Sequence, residues 1–593
     1  MRVLLSLTFA TALGGMAAAQ QAADAVDPEM THSGGFEAIS AEVAAALEAK
    51  AEGQPVAANN WMVAAANPHA VSAGADVLRA GGTAADAMVA VQSVLGLVEP
   101  QSSGIGGGAF LVWHDGATGE ITTLDGRETA PMAATPQLFQ NDAGEPLKFW
   151  DAVVGGRSVG VPGTPALMQT AHEKWGTAEW ADLFAAAAGL AEDGFAVSPR
   201  LAGLVARDAD RLGRFPATAE YLLPGGEPIA VGTLLKNPSY ANVMRRMAAE
   251  GAGVIYRGQI AQDIVSTVRG AEDNPGVLAL RDLSNYEVKQ RPAVCAEFRD
   301  HEVCGMGPPS SGALTVGQIL GMMNASAPGA PDDIQTWRRI GDASRLAFAD
   351  RGRYMADSDF VPVPTKGLVD PDYLAQRAEA LNSETALESV APGEPAWDHA
   401  VLWSDDDSIE LPSTSHISIV DQYGNALSMT TTIENGFGSR LMSNGFFLNN
   451  ELTDFSFRSH RNGVPIANRV EPGKRPRSSM SPTIVRKDGA PVLVVGSPGG
   501  SRIIGYTAQA IMAHVDWGMD VQQAVAMPHA VNRFGTYDFE EGTAVAEMAP
   551  QLEALGFKVN TRALTSGLHA ISISAEGLLG GADPRREGIA LGE

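Results

Sequence analysis

Cysteine is scarce in this chain, whose 593 residues include only Cys295 and Cys304. No pair of histidines lies near them, so the sequence contains no cysteine–histidine ligand set, and we expect no metal site. The segment between them reads as two short strands around an Arg299-Asp300 turn, a hairpin that would bring the two Cα atoms within bonding range. We therefore predict a structural disulfide formed in an oxidising compartment, with two buried free thiols as the alternative.

Basic residues are in deficit, because 42 lysines and arginines stand against 69 aspartates and glutamates, for a formal net charge of −27. A field of this sign repels the phosphate backbone of nucleic acids. We therefore exclude a nucleic acid as a partner and expect a well-solvated acidic surface.

After the N-terminus the chain lacks any apolar run that is long and uncharged enough to span a membrane, so we expect no membrane span. At the N-terminus, Met1-Arg2 precede a mostly apolar stretch from Val3 to Met16, and Ala17-Ala18-Ala19 supply a small-residue cleavage site. This pattern is typical of a secretory signal peptide. We predict a signal peptide over residues 1–19, a mature chain that begins at Gln20, and a bacterial periplasmic or secreted protein.

A nucleotide-binding loop is also missing, since the sequence contains no Walker-type Gly-Lys-Ser/Thr motif. Residues 104–109 formally match the dinucleotide fingerprint, but a predicted helix precedes them and a predicted strand follows. A phosphate-binding turn needs the opposite order, so that a helix N-terminus faces the anion. We interpret this segment as a tight turn that permits close backbone packing.

The predicted elements mix helices and strands without internal repeats. Asn67 is predicted to cap one helix, and Thr83 with Asp86 forms a capping-box start for the next. Residues 160–290 are mainly helical, and strands dominate from Thr414 onward. The predicted strands are Met62–Ala66, Ala109–Trp113, Ile121–Leu124, Ser415–Asp421, Ala426–Thr432 and Val492–Gly496, and a helix is predicted over Arg502–Val515. This pattern predicts a layered α/β (α+β) fold.

The most informative segment begins at Ser413-Thr414, where a strand-like alternation opens in mid-chain. If the chain is cut before Thr414, the threonine hydroxyl lies beside a new α-amino group, whose ordinary pKa is near 8. A threonine with its own base is a complete nucleophile. The sequence therefore raises the hypothesis of a proenzyme that makes its own active site.

Several other segments carry groups that suit such chemistry, although each has a plain structural alternative. Gly499-Gly500 lie in a strand-to-helix turn whose amides can form an oxyanion hole. Arg127 follows a strand and suits a carboxylate, while Glu451 and Asp454 can hold an ammonium group or face solvent. Ser478-Ser479 offer clustered hydroxyls in a turn.

Taken together, these segments resemble the γ-glutamyltranspeptidase family of N-terminal nucleophile hydrolases, over about residues 60–590. The matching motifs include 64–67, 80–87, 104–108, 125–128, 308–312, 414–416, 448–451, 474–482 and 496–500. The resemblance implies a four-layer αββα sandwich formed jointly by a large subunit, residues 20–413, and a small subunit, residues 414–593. It implies no metal and no organic cofactor.

The resemblance also implies a role for each site residue. Thr414 would be the nucleophile and, with Ser413, the cleavage site. Thr432 would tune Thr414, and Gly499 and Gly500 would donate to the oxyanion. The α-carboxylate of a γ-glutamyl group would be bound by Arg127, Ser478 and Ser479, and its α-ammonium by Glu434, Glu451 and Asp454. The implied activity is that of a γ-glutamyltransferase or glutathione hydrolase, which passes the γ-glutamyl group to water or to an amino acid or peptide acceptor.

The segment from Phe455 to Lys474 is shorter than in members with a full lid loop and contains no tyrosine. We interpret this as an open pocket that admits water and favours hydrolysis over transfer. A cephalosporin or glutaryl acylase on the same fold is the main alternative, and Glu451 and Asp454 argue against it because they would face an uncharged acyl chain. A non-catalytic periplasmic binding protein is a further alternative.

Overall fold

The computed structural model describes residues 35–399, 401–406, 408 and 410–593. The predicted signal peptide, residues 1–19, lies outside the described residues. Among the helices of the described ranges, none is long and apolar enough to cross a membrane.

The strands are short and are numbered here in chain order. They are β1 Val56–Ala58, β2 Met62–Ala65, β3 Gly108–His114, β4 Ile121–Gly126, β5 Phe195–Ala196, β6 Leu234–Leu235, β7 Lys289–Arg291, β8 Val294–Phe298, β9 His301–Gly305, β10 Ser415–Val420, β11 Ala426–Thr432, β12 Met442–Ser443, β13 Phe446–Phe447, β14 His460–Arg461, β15 Val464–Pro465, β16 Thr483–Lys487, β17 Ala490–Gly496, β18 Ala530–Asn532, β19 Thr536–Glu540, β20 Lys558–Arg562, β21 His569–Ser574, β22 Gly577–Ala582 and β23 Ile589–Gly592.

Helices lie between and around these strands. The α-helices are Ala41–Ala51, Pro68–Arg79, Ala84–Val98, Phe149–Val153, Thr164–Trp175, Ala185–Asp193, Pro199–Leu212, Pro216–Leu222, Pro238–Glu250, Gly253–Tyr256, Gly258–Arg269, Leu280–Ser284, Gly312–Met323, Ile334–Tyr354, Thr365–Leu368, Pro371–Ala378, Ile503–Val515, Val521–Ala526 and Ala549–Ala554. Short 3-10 turns at Glu451–Asp454 and Gly500–Arg502 lie beside the site described below.

Two seven-stranded antiparallel sheets form the centre of the molecule. The first has the order β23-β2-β10-β11-β3-β4-β7, and the second has the order β1-β22-β21-β17-β16-β9-β8. Each sheet combines strands that precede Thr414 with strands that follow it. The strands β10 and β11 are joined by a hairpin in the middle of the first sheet, which buries Thr414 at the start of β10.

Apolar side chains join the sheets and helices into four layers. Ile417 and Leu427 point from the first sheet toward the helices Pro68–Arg79 and Ala84–Val98. Val112 and Val494 lie in a smaller core between the two sheets. The outer face of the second sheet packs on the helices Gly312–Met323, Ile334–Tyr354 and Ile503–Val515. Because side chains alternate along a strand, each sheet buries both faces, and the predicted four-layer αββα sandwich is confirmed.

Most of the local predictions are confirmed as well. Asn67 accepts a hydrogen bond from His69 as a helix cap, and Thr83 with Asp86 forms the expected capping box. The strand predicted over Ala426–Thr432 has those bounds. The others differ by one or two residues at an end, which is the usual uncertainty of element boundaries.

Cys295 and Cys304 lie opposite each other in the β8–β9 hairpin at the edge of the second sheet. Their sulfur atoms are bonded at 2.04 Å. The pair is remote from Thr414 in sequence and does not line its pocket. It closes a hairpin loop and contributes no ligand or nucleophile to the site.

Candidate active site

Thr414 lies at the N-terminal edge of β10 and is 4% exposed. Its backbone φ is 96°, in a region that β-branched residues rarely adopt. A backbone conformation of this kind costs about 1–3 kcal/mol. Because φ is defined across the Ser413–Thr414 peptide bond, cleavage of that bond would remove the strained torsion.

The hydroxyl of Thr414 is held by the neighbouring strand. Its Oγ1 atom lies 3.1 Å from Oγ1 of Thr432, the last residue of β11. The same Thr432 oxygen accepts a hydrogen bond of 2.8 Å from the amide of Glu434. The backbone at Gly107 packs directly against the carbonyl group of Thr432. A Cβ atom on residue 107 would lie only 1.9 Å from the Thr432 carbonyl oxygen, so this close approach requires glycine.

The carbonyl group before Thr414 is held from the other sheet. The amide of Gly499 donates a hydrogen bond of 3.2 Å to the carbonyl oxygen of Ser413. Gly499 and Gly500 have φ values of 138° and 56° in the turn between β17 and the following helix, and glycine adopts such values without steric cost. The predicted Gly499-Gly500 turn therefore lies beside the Ser413–Thr414 peptide bond, and the Gly499 amide is directed at the carbonyl oxygen of that bond.

Arg127, directly after β4, is at the centre of a buried ion cluster. Its guanidinium contacts Glu451 and donates a hydrogen bond of 2.5 Å to Asp454. It also donates to the backbone carbonyls of Pro476 and Arg477. In the intact chain, Arg127 therefore binds Glu451 and Asp454. The resemblance assigns these two carboxylates to the α-ammonium of the substrate, whereas it assigns Arg127 to the α-carboxylate.

The acidic groups around Arg127 outnumber it. Burial and the neighbouring carboxylates raise the pKa of Glu434 and, with Arg127 opposing the shift, the pKa of Asp454. Burial also raises the pKa of Glu451, and it raises the pKa of Glu128 to about 8, against the attraction of Arg127. One oxygen each of Glu451 and Asp454 is buried without a hydrogen-bond partner within the described ranges. The cluster is thus short of positive charge.

Ser478 and Ser479 line the same pocket as this cluster, and a second group of charges surrounds Ser479. The hydroxyl of Ser479 donates to Glu410 and accepts a 2.7 Å hydrogen bond from Arg351. Arg351 also contacts Glu410 and donates a hydrogen bond of 2.8 Å to Ser311. Glu410 belongs to the segment that leads into Thr414.

A single pocket brings nearly all of the predicted site residues together. It is lined by Arg127, Glu410, Leu411, Thr414, Thr432, Glu434, Glu451, Asp454, Ser478, Ser479, Met480, Gly500 and Ile503. Gly499 and Ser413 directly precede the lining residues Gly500 and Thr414, and the cysteine pair lies elsewhere. Sequence reasoning missed Glu410, Glu128 and Arg351. A hydrophobic pattern gives no signal for a buried glutamate, although Arg351 is a charged residue on the otherwise buried face of a long helix.

Comparisons with known proteins agree with this geometry. Residues 70–593 match the model of the gamma-glutamyltranspeptidase family. The chain belongs to this family.

Some of the proteins that are similar to this chain are named as glutathione hydrolases, and others are named as acylases. The chain is 36% identical over 547 residues to the glutathione hydrolase proenzyme of Bacillus subtilis (strain 168), covering 90% of this chain and 91% of the relative. It is 32% identical to the acylase ACY 1 proenzyme of Pseudomonas sp. (strain SE83), covering 90% and 93%. The crystal structure of a cephalosporin acylase from Bacillus halodurans aligns with a TM-score of 0.81 at 25% identity, covering 91% and 97%.

Membership of the gamma-glutamyltranspeptidase family confirms the resemblance drawn from the sequence motifs, and with it the prediction that the chain is an enzyme. The match to relatives named as proenzymes agrees with a single precursor. The presence of acylases among the relatives means that the choice of acyl group has to be argued from the pocket itself.

Proposed function

We propose that this protein is a proenzyme that cuts itself before Thr414 and then hydrolyses or transfers γ-glutamyl groups. The observation that carries the proposal is the arrangement at one peptide bond. The Thr414 hydroxyl is paired with Thr432, and the Ser413 carbonyl oxygen accepts from Gly499. The glutathione hydrolase proenzymes among its relatives support the same conclusion.

The first reaction would be an attack by the Thr414 hydroxyl on the carbonyl carbon of Ser413. The negative charge that develops on the carbonyl oxygen is stabilised by the Gly499 amide. Collapse of the intermediate breaks the C–N bond while the proton of the hydroxyl passes to the nitrogen, which frees the α-amino group of Thr414 and leaves an ester between Ser413 and the Thr414 side chain. Water then hydrolyses the ester, which restores the Thr414 hydroxyl and separates a large piece ending at Ser413 from a small piece, residues 414–593.

In the cut enzyme the α-amino group would serve as the base for the same hydroxyl. The hydroxyl attacks the γ-carbonyl of the donor, with the amides of Gly499 and Gly500 facing the oxyanion. The amine leaving group departs with the proton and leaves a γ-glutamyl ester on Thr414. Water releases glutamate, and an amino acid or dipeptide acceptor instead takes the γ-glutamyl group.

The buried carboxyl groups around Arg127 favour a donor that carries a positive charge. Glu434, Glu451 and Asp454 are buried carboxyl groups whose pKa values are all raised, and Arg127 is the guanidinium that contacts two of them. An ammonium group placed among them would replace the protons that these groups otherwise attract. This is the physical reason to assign them to the α-ammonium of a γ-glutamyl donor.

An acylase acting on glutaryl compounds is the second candidate, because acylases are among the similar proteins. Glutaryl-p-nitroanilide differs from γ-glutamyl-p-nitroanilide only by lacking the ammonium group. We expect kcat/KM to be at least about tenfold higher for the γ-glutamyl compound, which corresponds to about 1.4 kcal/mol of transition-state binding. A preference for the glutaryl compound would instead favour the acylase.

Export to the periplasm or medium is the third part of the proposal. It is supported by the signal-like pattern of residues 1–19 and by the Cys295–Cys304 bond, since disulfides persist in oxidising compartments. Expression of the full chain in a bacterium, followed by fractionation and N-terminal sequencing, tests it. The expected result is a periplasmic protein that begins at Gln20, and an uncleaved N-terminus in the cytoplasmic fraction would contradict it.

A further inference from the structure

Thr414 lies beyond the point where β10 is paired with its neighbour β2. The two strands pair from Ile417, which lies opposite Ala65, the last residue of β2. Ala65 also lies opposite Ile589, the first residue of β23. Since both pairings are antiparallel, the residues before Ile417 and those before Ile589 lie at the same end of the sheet. The turn that leads into β23 is therefore placed to reach Thr414.

A buried arginine in this turn, Arg586, holds the carbonyl group of Thr414. Its Nη1 atom donates a hydrogen bond of 3.3 Å to the Thr414 carbonyl oxygen, and its Nη2 atom donates one of 3.2 Å to the carbonyl oxygen of Thr565. Arg586 is 2% exposed. Arg586 and Thr414 both belong to residues 414–593, so cleavage before Thr414 would not separate them.

The position of Arg586 is fixed by contacts along its whole length. Its backbone carbonyl oxygen accepts a hydrogen bond of 2.9 Å from Nζ of Lys50. Its side chain packs on Gly567, where a Cβ atom would lie 2.7 Å from Cδ of Arg586 and 2.7 Å from Cγ of Pro498. Pro498 directly precedes Gly499, whose amide is directed at the Ser413 carbonyl group. One arginine therefore lies beside both the Thr414 backbone and the Gly499-Gly500 turn.

The residue after Thr414 is held by a buried carboxyl group. The hydroxyl of Ser415 donates a hydrogen bond of 3.1 Å to Glu99, which is fully buried. Burial raises the pKa of Glu99, and the positive charges of Arg200 and Arg586 oppose this shift. The Thr414–Ser415 peptide group is thus held at its carbonyl oxygen by a cation and through the next side chain by an acidic group.

The orientation of this peptide group determines where the reactive atoms of Thr414 point. Rotation about the Cα–C bond of Thr414 moves its hydroxyl and its nitrogen together, because both are attached through Cα. In the intact chain, the peptide bond to Ser413 also restrains the nitrogen. Cleavage removes that restraint, so the contact of Arg586 with the carbonyl oxygen becomes more important in the cut enzyme. A displacement of a reacting group by about 1 Å can lower a rate about 100-fold.

We propose that Arg586 is a positioning residue that holds the Thr414 carbonyl group and thereby orients the hydroxyl and the α-amino group of Thr414. It would serve both self-cleavage and the attack on the donor. The second role rests on the proposed γ-glutamyl activity, whereas the first needs only the cut before Thr414. The residues that line the pocket do not include Arg586, so it acts through Thr414 and does not bind the donor.

The first test follows self-cleavage on a denaturing gel and needs no donor. We expect Arg586→Met to slow cleavage about tenfold or more, because a hydrogen bond from a charged group is lost. Arg586→Lys keeps a buried cation and should recover at least about a third of the wild-type rate. Arg338→Met is the matched control, since Arg338 is 1% exposed and donates a hydrogen bond of 2.6 Å to the carbonyl oxygen of Leu381, away from the pocket.

The control should be cut at the wild-type rate. Wild-type cleavage in both Arg586 variants, or equal slowing in Arg338→Met, would overturn the proposal. A wild type that is cut but does not act on γ-glutamyl-p-nitroanilide would contradict the proposed function, and the cleavage rates would still decide the role of Arg586.

The second test uses fully cut enzyme and separates positioning from a general loss of structure. We expect Arg586→Met to lower kcat for γ-glutamyl-p-nitroanilide about tenfold or more, while KM and the inhibition constant of L-glutamate stay within about twofold of the wild type. The donor contacts are unchanged in this variant, and only the nucleophile is misplaced. An unchanged kcat, or an inhibition constant that rises in parallel with the loss of kcat, would contradict the positioning role.

Discussion

The amide of Gly499 donates a hydrogen bond to the carbonyl oxygen of Ser413, and this contact joins the two sheets at the one bond that the chain is proposed to cut. The residue that follows, Thr414, has a positive φ and a hydroxyl held by Thr432. A hydrogen-bonded hydroxyl, a hydrogen-bonded carbonyl and a positive φ torsion therefore meet at one peptide bond. Each can be altered separately.

Thr432→Val removes the hydroxyl that lies 3.1 Å from the Thr414 hydroxyl and keeps the shape of the side chain. We expect self-cleavage about tenfold slower, because one hydrogen bond that orients the nucleophile is lost. The measurement is the time course of cleavage on a denaturing gel. Thr431→Val is the matched control, since the Thr431 hydroxyl is equally buried and has no hydrogen-bond partner among the described residues. Equal cleavage rates in the two variants would remove Thr432 from the mechanism.

Asp454→Asn weakens the acidic side of the pocket. We expect KM for γ-glutamyl-p-nitroanilide to rise about 10- to 100-fold, because a hydrogen bond between charged groups is worth about 1.5–3 kcal/mol. Glutaryl-p-nitroanilide, which has no ammonium group, should show little change in KM. Asp142→Asn, at an exposed loop position, serves as the control. A parallel rise for both donors would mean that Asp454 does not contact the ammonium.

Glu128→Gln tests the excess of buried carboxyl groups through the pH dependence of stability. Burial raises the pKa of Glu128 from 4.5 to about 8. A carboxyl group with a raised pKa contributes stability that is complete below pH 4.5 and is lost as the pH rises to about 8. Each rise of one pH unit in this window lowers the free energy of unfolding of the parent protein by up to about 1.4 kcal/mol.

The neutral glutamine should not suffer this loss. Thermal melting of the uncut Thr414→Ala protein, with and without Glu128→Gln, should therefore show a difference in Tm that favours the variant and widens from pH 5 to pH 8. A difference that stays constant with pH would show that Glu128 is ionised throughout.

The ratio of hydrolysis to transfer tests the interpretation of the segment from Phe455 to Lys474. This segment forms the small hairpin of β14 and β15, and it contains no tyrosine. We expect glutamate to exceed γ-glutamyl-glycylglycine when the enzyme acts on γ-glutamyl-p-nitroanilide with glycylglycine present, because an open pocket admits water. Chromatography of the products measures both, and a dominant transfer product would contradict the expectation.

What the sequence predicts well in this protein is encoded locally. The Thr83–Asp86 capping box and the strand Ala426–Thr432 follow from residues within one or two turns of each other. The αββα layers were predicted from the motif resemblance. Hydrophobic patterns indicate individual helices and strands but do not specify which strands pair in a sheet.

The site is harder to predict because its contacts join distant parts of the chain. The residue types around Thr414 were identified from motifs, yet nothing in the sequence placed Arg351 beside Glu410 or paired Arg127 directly with Glu451. Ion pairs of this kind depend on tertiary geometry and on which carboxyl groups are buried together.

Intact-mass analysis of purified wild-type and Thr414→Ala protein tests the central claim most directly. The account predicts that the wild type separates into two pieces under denaturing conditions, the smaller one beginning at Thr414, and that Thr414→Ala stays a single chain without γ-glutamyl hydrolase activity. A wild type that remains one chain while hydrolysing γ-glutamyl-p-nitroanilide, or a Thr414→Ala protein that is still cut at Ser413, would contradict it.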